Sequence, residues 1–188
     1  YPANVDQVFI DKHIGTIPLI TQFGSKPDAF TIVQEHRGRV YGSVGNKLYR
    51  SNPHNYGLFK PNNYWPFSKD IKSVMSIQNV LYVGTEDMIY QVSNIDGEGA
   101  VQKNIVKEYG AVLQLNSETD IDNNLSYFRS TKGDCVASIE GITEITAPNL
   151  AMDEYGTAEL ALIESDGLKR LVGVSQTINK VSSLKATI

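Results

Sequence analysis

A strand–turn–strand pattern recurs along this chain, and it is the feature that most limits the possible folds. The stretches GRVYGSVGNKLYRS at residues 38–51 and VLYVGTEDMIYQVS at residues 80–93 both set two apolar and aromatic runs around a polar turn. Two tyrosine pairs keep the same offset of 41 residues, Tyr41 with Tyr82 and Tyr49 with Tyr90. Such a match indicates one structural unit that the chain uses repeatedly.

Two weaker copies follow in the second half of the chain. Residues 125–139, LSYFRSTKGDCVASI, carry Tyr127 and turn on Lys132-Gly133-Asp134. Residues 158–174, AELALIESDGLKRLVGV, turn on Ser165-Asp166-Gly167, a sequence typical of tight hairpin turns. The sequence therefore predicts four hairpins at a spacing of about 40 residues.

The same sequence has few of the apolar spacings that indicate an amphipathic helix, and it is rich in β-favouring residues, with ten tyrosines. We predict an all-β protein, a β-propeller-like array of antiparallel hairpin blades, because repeats of this length are typical of propellers. About four blades would make a small ring or an arc of a larger propeller. A β-sandwich is the alternative, although its strands recur at shorter spacing. We assign residues 1–29 to a lead-in segment and residues 30–188 to the propeller-like domain.

Composition excludes several classes of protein and site. The 17 basic and 21 acidic residues give a net charge of −4 without a long block of one sign, so the electrostatic footprint of a nucleic-acid-binding protein is missing. One cysteine excludes internal disulfides, and with three scattered histidines it makes no zinc pattern. No apolar stretch reaches the roughly 20 residues of a membrane helix. We expect no cofactor, no bound metal and no membrane span.

Residues 51–71, SNPHNYGLFKPNNYWPFSKDI, are dense in proline and aromatic residues. Pro53, Pro61 and Pro66 remove backbone donors, so we expect a loop without a regular ladder. The aromatic residues have two interpretations: they pack against the chain's own sheets, as most large aromatics do, or they dock onto another protein. The candidates for such an interface are Tyr56, Phe59, Tyr64, Trp65 and Phe67.

Signals for catalysis or calcium binding are weak. Residues 118–124, ETDIDNN, alternate oxygen-bearing side chains, but the sixth loop position is Leu125 instead of glycine and the twelfth is Thr131 instead of glutamate, so a solvated turn is expected. No Gly-x-Ser-x-Gly elbow, phosphate-binding loop or His-Glu-x-x-His pair occurs. Cys135 lacks a basic neighbour at a helix start and is expected to be a small buried hydrophobe. We therefore predict no catalytic residue and no enzyme activity.

The order of motifs in residues 38–97 resembles that of virion proteins of tailed bacteriophages. In those proteins a hairpin that ends in Tyr-x-Ser leads through a Trp-Pro loop to a segment of the type I-x-S-I, LYVGT and IY-x-V. This chain has YRS at 49–51, WP at 65–66 and SIQNVLYVGTEDMIYQV at 76–92. It looks like the tail-nozzle or packaged-DNA-stabilisation proteins, which build propellers stacked below the portal. The likeness covers residues 38–97 well and the two later hairpins in outline.

That resemblance implies a structural protein of the virion, located in the phage tail. Such proteins assemble as rings of identical copies at the portal vertex, contact other tail or portal proteins, retain the packaged genome and channel DNA on ejection. A mildly acidic lumen is compatible with DNA that slides past without sequence-specific binding. The competing interpretation is a ligand-binding propeller of bacterial or phage origin that takes a carbohydrate or a peptide.

Overall fold

The computed structural model describes residues 29–95, 101–115, 117–146 and 155–177. Those residues form fourteen β-strands and no helix, so the all-β prediction is confirmed. The strands are β1 (Ile32–His36), β2 (Arg39–Val44), β3 (Lys47–Asn52), β4 (Asn55–Pro66), β5 (Ile71–Ile77), β6 (Val80–Thr85), β7 (Ile89–Ser93), β8 (Gln102–Lys107), β9 (Glu118–Asp120), β10 (Leu125–Ser130), β11 (Gly133–Ser138), β12 (Gly141–Glu144), β13 (Tyr155–Ser165) and β14 (Leu168–Thr177).

Strands that follow each other in the chain pair antiparallel and build four sheets. Sheet A contains β1 to β4, sheet B β5 to β8 and sheet C β9 to β12, each in chain order, and sheet D is the hairpin of β13 and β14. The four predicted hairpins are β2–β3, β6–β7, β10–β11 and β13–β14, so all four are confirmed. Asp166 and Gly167, with φ of 53° and 73°, turn the last hairpin, and such a left-handed pair suits the twist of the strands.

The predicted repeat is also present at the level of single residues. In each of the first three hairpins, a tyrosine lies on the second strand of the sheet. It is paired across the ladder with a residue of the third strand. The equivalent pairs are Tyr41 with Arg50, Tyr82 with Gln91 and Tyr127 with Val136. Equal register in three sheets means that equivalent side chains lie on equivalent faces.

Sheets A and B pack face to face over an apolar core. Sheet A contributes the face that carries Tyr41, and sheet B contributes the face that carries Leu81 and Val83. His36 also reaches across, because its Nδ1 lies 2.8 Å from Ser76 Oγ. The buried members of this core are Ile32, Tyr41, Leu48, Phe67, Ile71, Val74, Leu81, Val83, Tyr90, Val92 and Ile95.

The opposite face of sheet B packs on sheet C over a second core. Tyr82 is fully buried there, and its hydroxyl donates to the Ser138 carbonyl at 2.9 Å. Sheet B is thus covered by apolar neighbours on both faces, as an inner blade of a propeller is. The buried members of this core are Met75, Ile77, Tyr82, Ile89, Tyr109, Ala111, Phe128, Cys135, Ala137 and Ile142.

Sheet C turns its remaining face toward sheet D. Tyr127 lies on that face, near the charge of Lys169 on β14. Ala158 is buried, and its amide donates to a carbonyl of the segment before β9 at 2.9 Å. A side chain at Gly173 would meet Arg129 Nη2 at 2.7 Å, so glycine allows β14 to approach this closely. The tyrosine face of each sheet therefore points to the next sheet in the chain, an arrangement compatible with consecutive blades.

Residues 51–71 correct the sequence analysis, because most of them are not a loop. Asn55–Pro66 forms β4, the longest of the described strands and the edge of sheet A. Its ladder with β3 shifts register in the middle, where Pro61 lies, and Pro66 ends the strand. An edge strand leaves one row of amides unpaired, and bulges and strand ends tolerate proline. The prolines therefore interrupt the ladder without preventing it.

The predicted lead-in segment, residues 1–29, lies outside the described residues apart from Ala29. The domain boundary at residue 30 therefore stays a prediction. Phe30 contacts sheet A, with its ring 5.1 Å from the ring of Phe59 and 6.1 Å from that of Tyr49.

Candidate functional site

The five interface candidates lie on or next to β4, and most of them pack inward. Phe59 and Phe67 are buried. Trp65 is half-buried and stacks on Tyr41 at a ring distance of 6.0 Å. Tyr64 is half-buried and lies 5.2 Å from the ring of its cross-strand neighbour. Packing against the chain's own sheets, the first of the two interpretations, therefore describes Phe59, Trp65 and Phe67, whereas Tyr64 lies half-buried on the face of sheet A away from sheet B.

Tyr56 differs from the other four candidates. It lies near the start of β4, beside the β3–β4 turn, and 52% of its surface is exposed. An exposed tyrosine offers a flat apolar ring and a hydroxyl, which are enriched at contacts between proteins. The interface role stays a prediction, and Tyr56 is the most exposed of the five candidates.

The tyrosine face of sheet A extends beyond the core into a polar cavity of about 360 Å³. Arg39 and Arg50 lie on that face, since Arg50 is opposite Tyr41 and Arg39 stands two residues before it. Lys60 comes from the irregular middle of β4. The lining residues are Arg39, Arg50, Asn52, Pro53, Lys60, Asn62 and Asn63.

Arg50 is held in the cavity wall by several contacts. Its guanidinium lies over the Trp65 ring, 5.1 Å from the centroid, and its Nη2 donates to Asn63 Oδ1 at 3.1 Å. Asn63 Nδ2 donates in return to the Arg50 carbonyl at 2.9 Å. Arg50 Nη1 donates to the Ile95 carbonyl, which belongs to the segment after sheet B's third strand. A side chain fixed in this way loses little entropy when a ligand binds.

The described lining of this cavity is rich in hydrogen-bond donors. Among the lining residues that the structure describes, three are cationic and none is acidic. Three carboxamides add neutral donors, and charge-assisted hydrogen bonds from arginine and lysine are among the stronger ones in proteins. The described part of the lining therefore offers mainly hydrogen-bond donors.

A second cavity, of about 390 Å³, lies where sheets A, B and C converge. Gln34 and Ser117 join sheet A to the segment before β9 beside it, through a hydrogen bond of 3.4 Å. Five of the described lining residues carry an amide or a hydroxyl group, and Glu35 is the charged residue among those described. This cavity therefore attracts a charged ligand less than the cavity of sheet A does.

The acidic stretch at residues 118–124 ends in a turn, but Asp120 is not solvated as expected. Asp120 is buried, and both carboxylate oxygens accept hydrogen bonds from Lys169 Nζ at 2.8 Å. The bond with Lys169, followed by that from Asn123, lowers the pKa of Asp120, and the same partner raises the pKa of Lys169. The expectation of a solvated turn is therefore wrong at this residue, which forms an ion pair between sheets C and D.

Cys135 is a buried member of the core between sheets B and C, as predicted. Burial raises the pKa of its thiol, which therefore stays protonated at neutral pH. The Tyr109 hydroxyl lies 3.8 Å from the sulfur, and burial raises the pKa of that phenol as well. Both groups thus belong to the packed interior and are not activated for nucleophilic chemistry.

Sequence reasoning missed the basic cavity because its cations come from three different strands. Arg39, Arg50 and Lys60 form no local run of charge. One signal was available, in the comparison of the repeats. Gln91 and Val136 occupy the place of Arg50 in sheets B and C, so sheet A alone among these three carries a cation there.

Comparisons with known proteins assign no family. No family model matches the chain, and no curated protein matches it significantly. Within the described ranges, histidine, cysteine, aspartate and glutamate form no group of three that could hold a metal ion. In the same part of the chain, no helix has the length and apolar character needed to cross a membrane. Functional inference therefore rests on the fold, the cavities and the exposed surfaces.

Proposed function

We propose that this chain is a structural component of a tailed-phage virion, a ring-forming protein of the tail nozzle or portal vertex. In that role, copies of the chain surround the path of the DNA, retain the packaged genome and let it pass on ejection. They also contact other tail or portal proteins. The motif order of residues 38–97 supports this proposal, and so does the array of stacked antiparallel sheets.

The observation that carries the proposal is the outer face of sheet D. Residues paired directly across a hairpin share a face, and the residue two positions along the strand shares it as well. Leu160, on the inner face, is buried, whereas the outer face carries Glu159, Arg170 and a set of exposed apolar side chains. Exposed apolar surface marks sites of protein contact. The exposed apolar residues are Ala161, Ile163, Leu168, Val172 and Val174.

A second copy of the chain is the occupant that the fold favours for this face. Sheets A, B and C follow one another by face-to-face contacts, and sheet D is the last of the described sheets. At the other end, sheet A carries Val33, Tyr49 and Tyr64 on the face away from sheet B, with Val33 exposed and the tyrosines half-buried. Contact between these two faces in different copies is head-to-tail, and such contacts close into a ring when the rotation per copy allows it.

The test is the assembly state of the full chain, measured by mass photometry and negative-stain electron microscopy. We expect ring-shaped particles of uniform mass. Val172→Arg places a charge in the apolar face and should shift the particles to monomers, because an unpaired buried charge is strongly unfavourable. Ile139→Arg is the matched control, since Ile139 is an exposed apolar residue in the β11–β12 turn, and it should leave the rings intact.

A monomer at every concentration would remove the ring and with it the proposed role. If both substitutions disrupt the particles equally, the outer face of sheet D is not the contact. Purification of tagged chain from phage-infected cells supplies the second measurement, in which portal proteins should accompany the chain.

A ligand-binding propeller is the second candidate, and the polar cavity of sheet A is the observation that favours it. On that hypothesis the chain is a monomer whose melting temperature rises with a carbohydrate or a peptide, because a ligand that binds only the folded state stabilises it. A thermal-shift screen with glycans and short peptides separates the two candidates, since a ring protein of the virion should show no such rise.

A further inference from the structure

We infer that the head-to-tail contact between two copies continues the stacking of sheets A to D, and that two complementary charge pairs set its register. The outer face of sheet D in one copy lies on the outer face of sheet A in the next, the face that points away from sheet B. Arg170 then faces Glu35 of the next copy at one end of the contact. Glu159 faces Lys47 of the next copy at the other end. This inference rests on the proposed function, since it names the residues that meet in the contact proposed there.

The outer face of sheet A carries an acidic and a basic side chain. Glu35 stands two residues after Val33 on β1, so the two side chains share that face. Lys47 stands two residues before Tyr49 on β3, and its Nζ lies 4.8 Å from the centroid of the Tyr64 ring on the same face. Glu35 is exposed and Lys47 is partly exposed, so a second copy can reach both.

The outer face of sheet D carries the two signs at the same spacing and in the opposite order. On sheet A, the β2 residues paired with Glu35 and Lys47 are four residues apart, which separates the two charges by about 13 Å along the strands. On sheet D, Arg170 is paired with Ile163, which stands four residues after Glu159. Glu35 and Arg170 both lie near the turn that follows the first strand of their sheet. Matching positions on the two faces therefore hold opposite charges.

Sheets stacked within the chain show which of their ends meet. His36 at the end of β1 contacts Ser76 near the end of β5, with 2.8 Å between Nδ1 and Oγ. Lys169, which follows the turn after β13, donates to Asp120 at the end of β9. In both contacts the ends of the first strands lie together. A second copy that continues this orientation places each charge opposite its counterpart of the other sign.

Both carboxylates also accept backbone hydrogen bonds inside the chain. Glu35 Oε1 accepts from the Gly38 amide at 2.7 Å, and Glu159 Oε1 accepts from the Leu115 amide at 3.3 Å. An ionised carboxylate has about four lone-pair sites, so each group can accept from a cation of a second copy as well. The backbone donors thus hold the two carboxylates without excluding the proposed pairs.

The charges supply the direction that the apolar side chains of this contact do not. The hydrophobic effect is non-directional, whereas complementary charges fix register and like charges disfavour the wrong one. In a copy turned end for end, Arg170 would face Lys47. Glu159 would face Glu35, again with equal sign. The charge pattern therefore favours the orientation of the stacked sheets, which is the head-to-tail one that can close into a ring.

A 1:1 complex of two blocked chains isolates this contact from ring closure. Val172→Arg blocks the outer face of sheet D in the first chain, and Val33→Arg blocks the outer face of sheet A in the second. Both valines are exposed, so the fold should be unaffected, and circular dichroism checks this. The chains can then associate only through sheet A of the first and sheet D of the second. Titration calorimetry measures their Kd.

Charge reversal in a double-mutant cycle tests the pairs. Glu35→Arg in the first chain and Arg170→Glu in the second should each raise Kd roughly fivefold or more, because an attraction becomes a repulsion. The two reversed chains together should recover most of the affinity, since opposite charges again face each other. Lys47→Glu with Glu159→Lys should behave in the same way. Added sodium chloride should reduce the coupling in both pairs, because salt screens exposed charges.

Two controls separate the pairs from general charge. Glu140→Arg is matched to Glu35→Arg, because Glu140 is also an exposed glutamate and lies in the β11–β12 turn, and it should leave Kd unchanged. The mismatched combination of Glu35→Arg with Glu159→Lys should stay weak. Equal weakening by Glu35→Arg and Glu140→Arg, or recovery in the mismatched combination, would overturn the inferred register.

The proposed function and the charge pairs fail in different ways. A 1:1 complex that reversed pairs restore, from a chain that never forms rings by itself, supports the charge pairs and removes the ring. Rings that form in the unmodified chain, together with blocked chains that ignore charge reversal or do not associate, keep the ring and overturn the charge pairs. Absence of both rings and 1:1 complex overturns both.

Discussion

The contact between sheets B and C and the contact between sheets C and D join neighbouring sheets by different chemistry. Between B and C, Tyr82, Met75 and Phe128 are fully buried among other apolar side chains. Between C and D, the ion pair of Asp120 and Lys169 accompanies the half-buried Tyr127, the buried Leu160 and the backbone hydrogen bond of Ala158. The first contact depends on the hydrophobic effect, and the second combines an ion pair and a backbone hydrogen bond with fewer buried apolar side chains. The chain therefore has a firmly packed part, sheets A to C, and a more weakly attached hairpin, sheet D.

This difference matters for the proposed assembly. Sheet D is attached through its inner face and presents apolar residues on its outer face. Regions with few buried apolar contacts open and shift at lower free-energy cost than a dry core does. A weakly attached sheet can therefore adjust to a second copy while sheets A to C keep their geometry.

Tyr82→Ala tests the firm contact and has the largest expected effect. The substitution removes a fully buried ring and its hydrogen bond to the Ser138 carbonyl, so the free energy of unfolding should fall by about 3 kcal/mol or more. Urea denaturation followed by circular dichroism measures this change. Tyr82→Phe keeps the ring and should cost about 1 kcal/mol. A loss below about 0.5 kcal/mol for Tyr82→Ala, the range of surface sites, would contradict the firm contact.

The hairpins that place Tyr82 could be predicted from the sequence, because their signals are local. Turn residues and aromatic spacing lie within a short stretch, and Tyr41 and Tyr82 keep equivalent registers in the structure. Strand β4 could not be predicted in this way. Tolerance of Pro61 depends on a bulge and an open sheet edge, which exist only once the strands have paired.

Contacts between residues that are distant in the sequence could not be predicted from local patterns. Lys169 of sheet D donates to Asp120 of sheet C. Arg50 of sheet A donates to the carbonyl of Ile95, which follows the third strand of sheet B. Such partners depend on how the sheets stack, which no local pattern encodes. The sequence showed that residues 51–71 are rich in aromatic side chains. The burial of each ring depends on the face of β4 on which it lies, and the bulge in that strand breaks the regular alternation of faces.

The contact between sheets C and D is expected to depend on pH, with a smaller effect than the loss of Tyr82. The lowered pKa of Asp120 means that its contribution to stability is present above the ordinary pKa of a carboxyl and is lost as pH falls through the lowered value. The raised pKa of Lys169 means that its contribution is present below the ordinary lysine value and is lost as pH rises through the raised value. Sheet D should therefore be attached most firmly across neutral pH.

Hydrogen exchange of the β13 and β14 amides measures this attachment. Asp120→Asn should speed exchange in the hairpin at neutral pH, flatten its pH dependence and leave the amides of sheets A and B unchanged. Asp122→Asn is the control, because Asp122 is highly exposed and approaches Lys169 only to 3.7 Å. Unchanged exchange in Asp120→Asn would mean that apolar contacts and backbone hydrogen bonds attach sheet D without the ion pair, and the contrast between the two contacts would be lost.

Val174→Thr has the smallest expected effect. It tests whether the outer face of sheet D is exposed, in contrast to the buried core between sheets A and B. Val174 is largely exposed on the outer face of sheet D, so the free energy of unfolding should change by less than about 0.5 kcal/mol. Val83→Thr makes the same chemical change at a fully buried position between sheets A and B, where burying the added hydroxyl should cost about 1–3 kcal/mol. Both values are measured by urea denaturation at a concentration where the chain is monomeric, so that assembly does not contribute. Equal costs would mean that the outer face is already covered within one chain and is closed to a second copy, whereas a near-zero cost for Val174→Thr together with weaker assembly would link the exposed sheet to the ring.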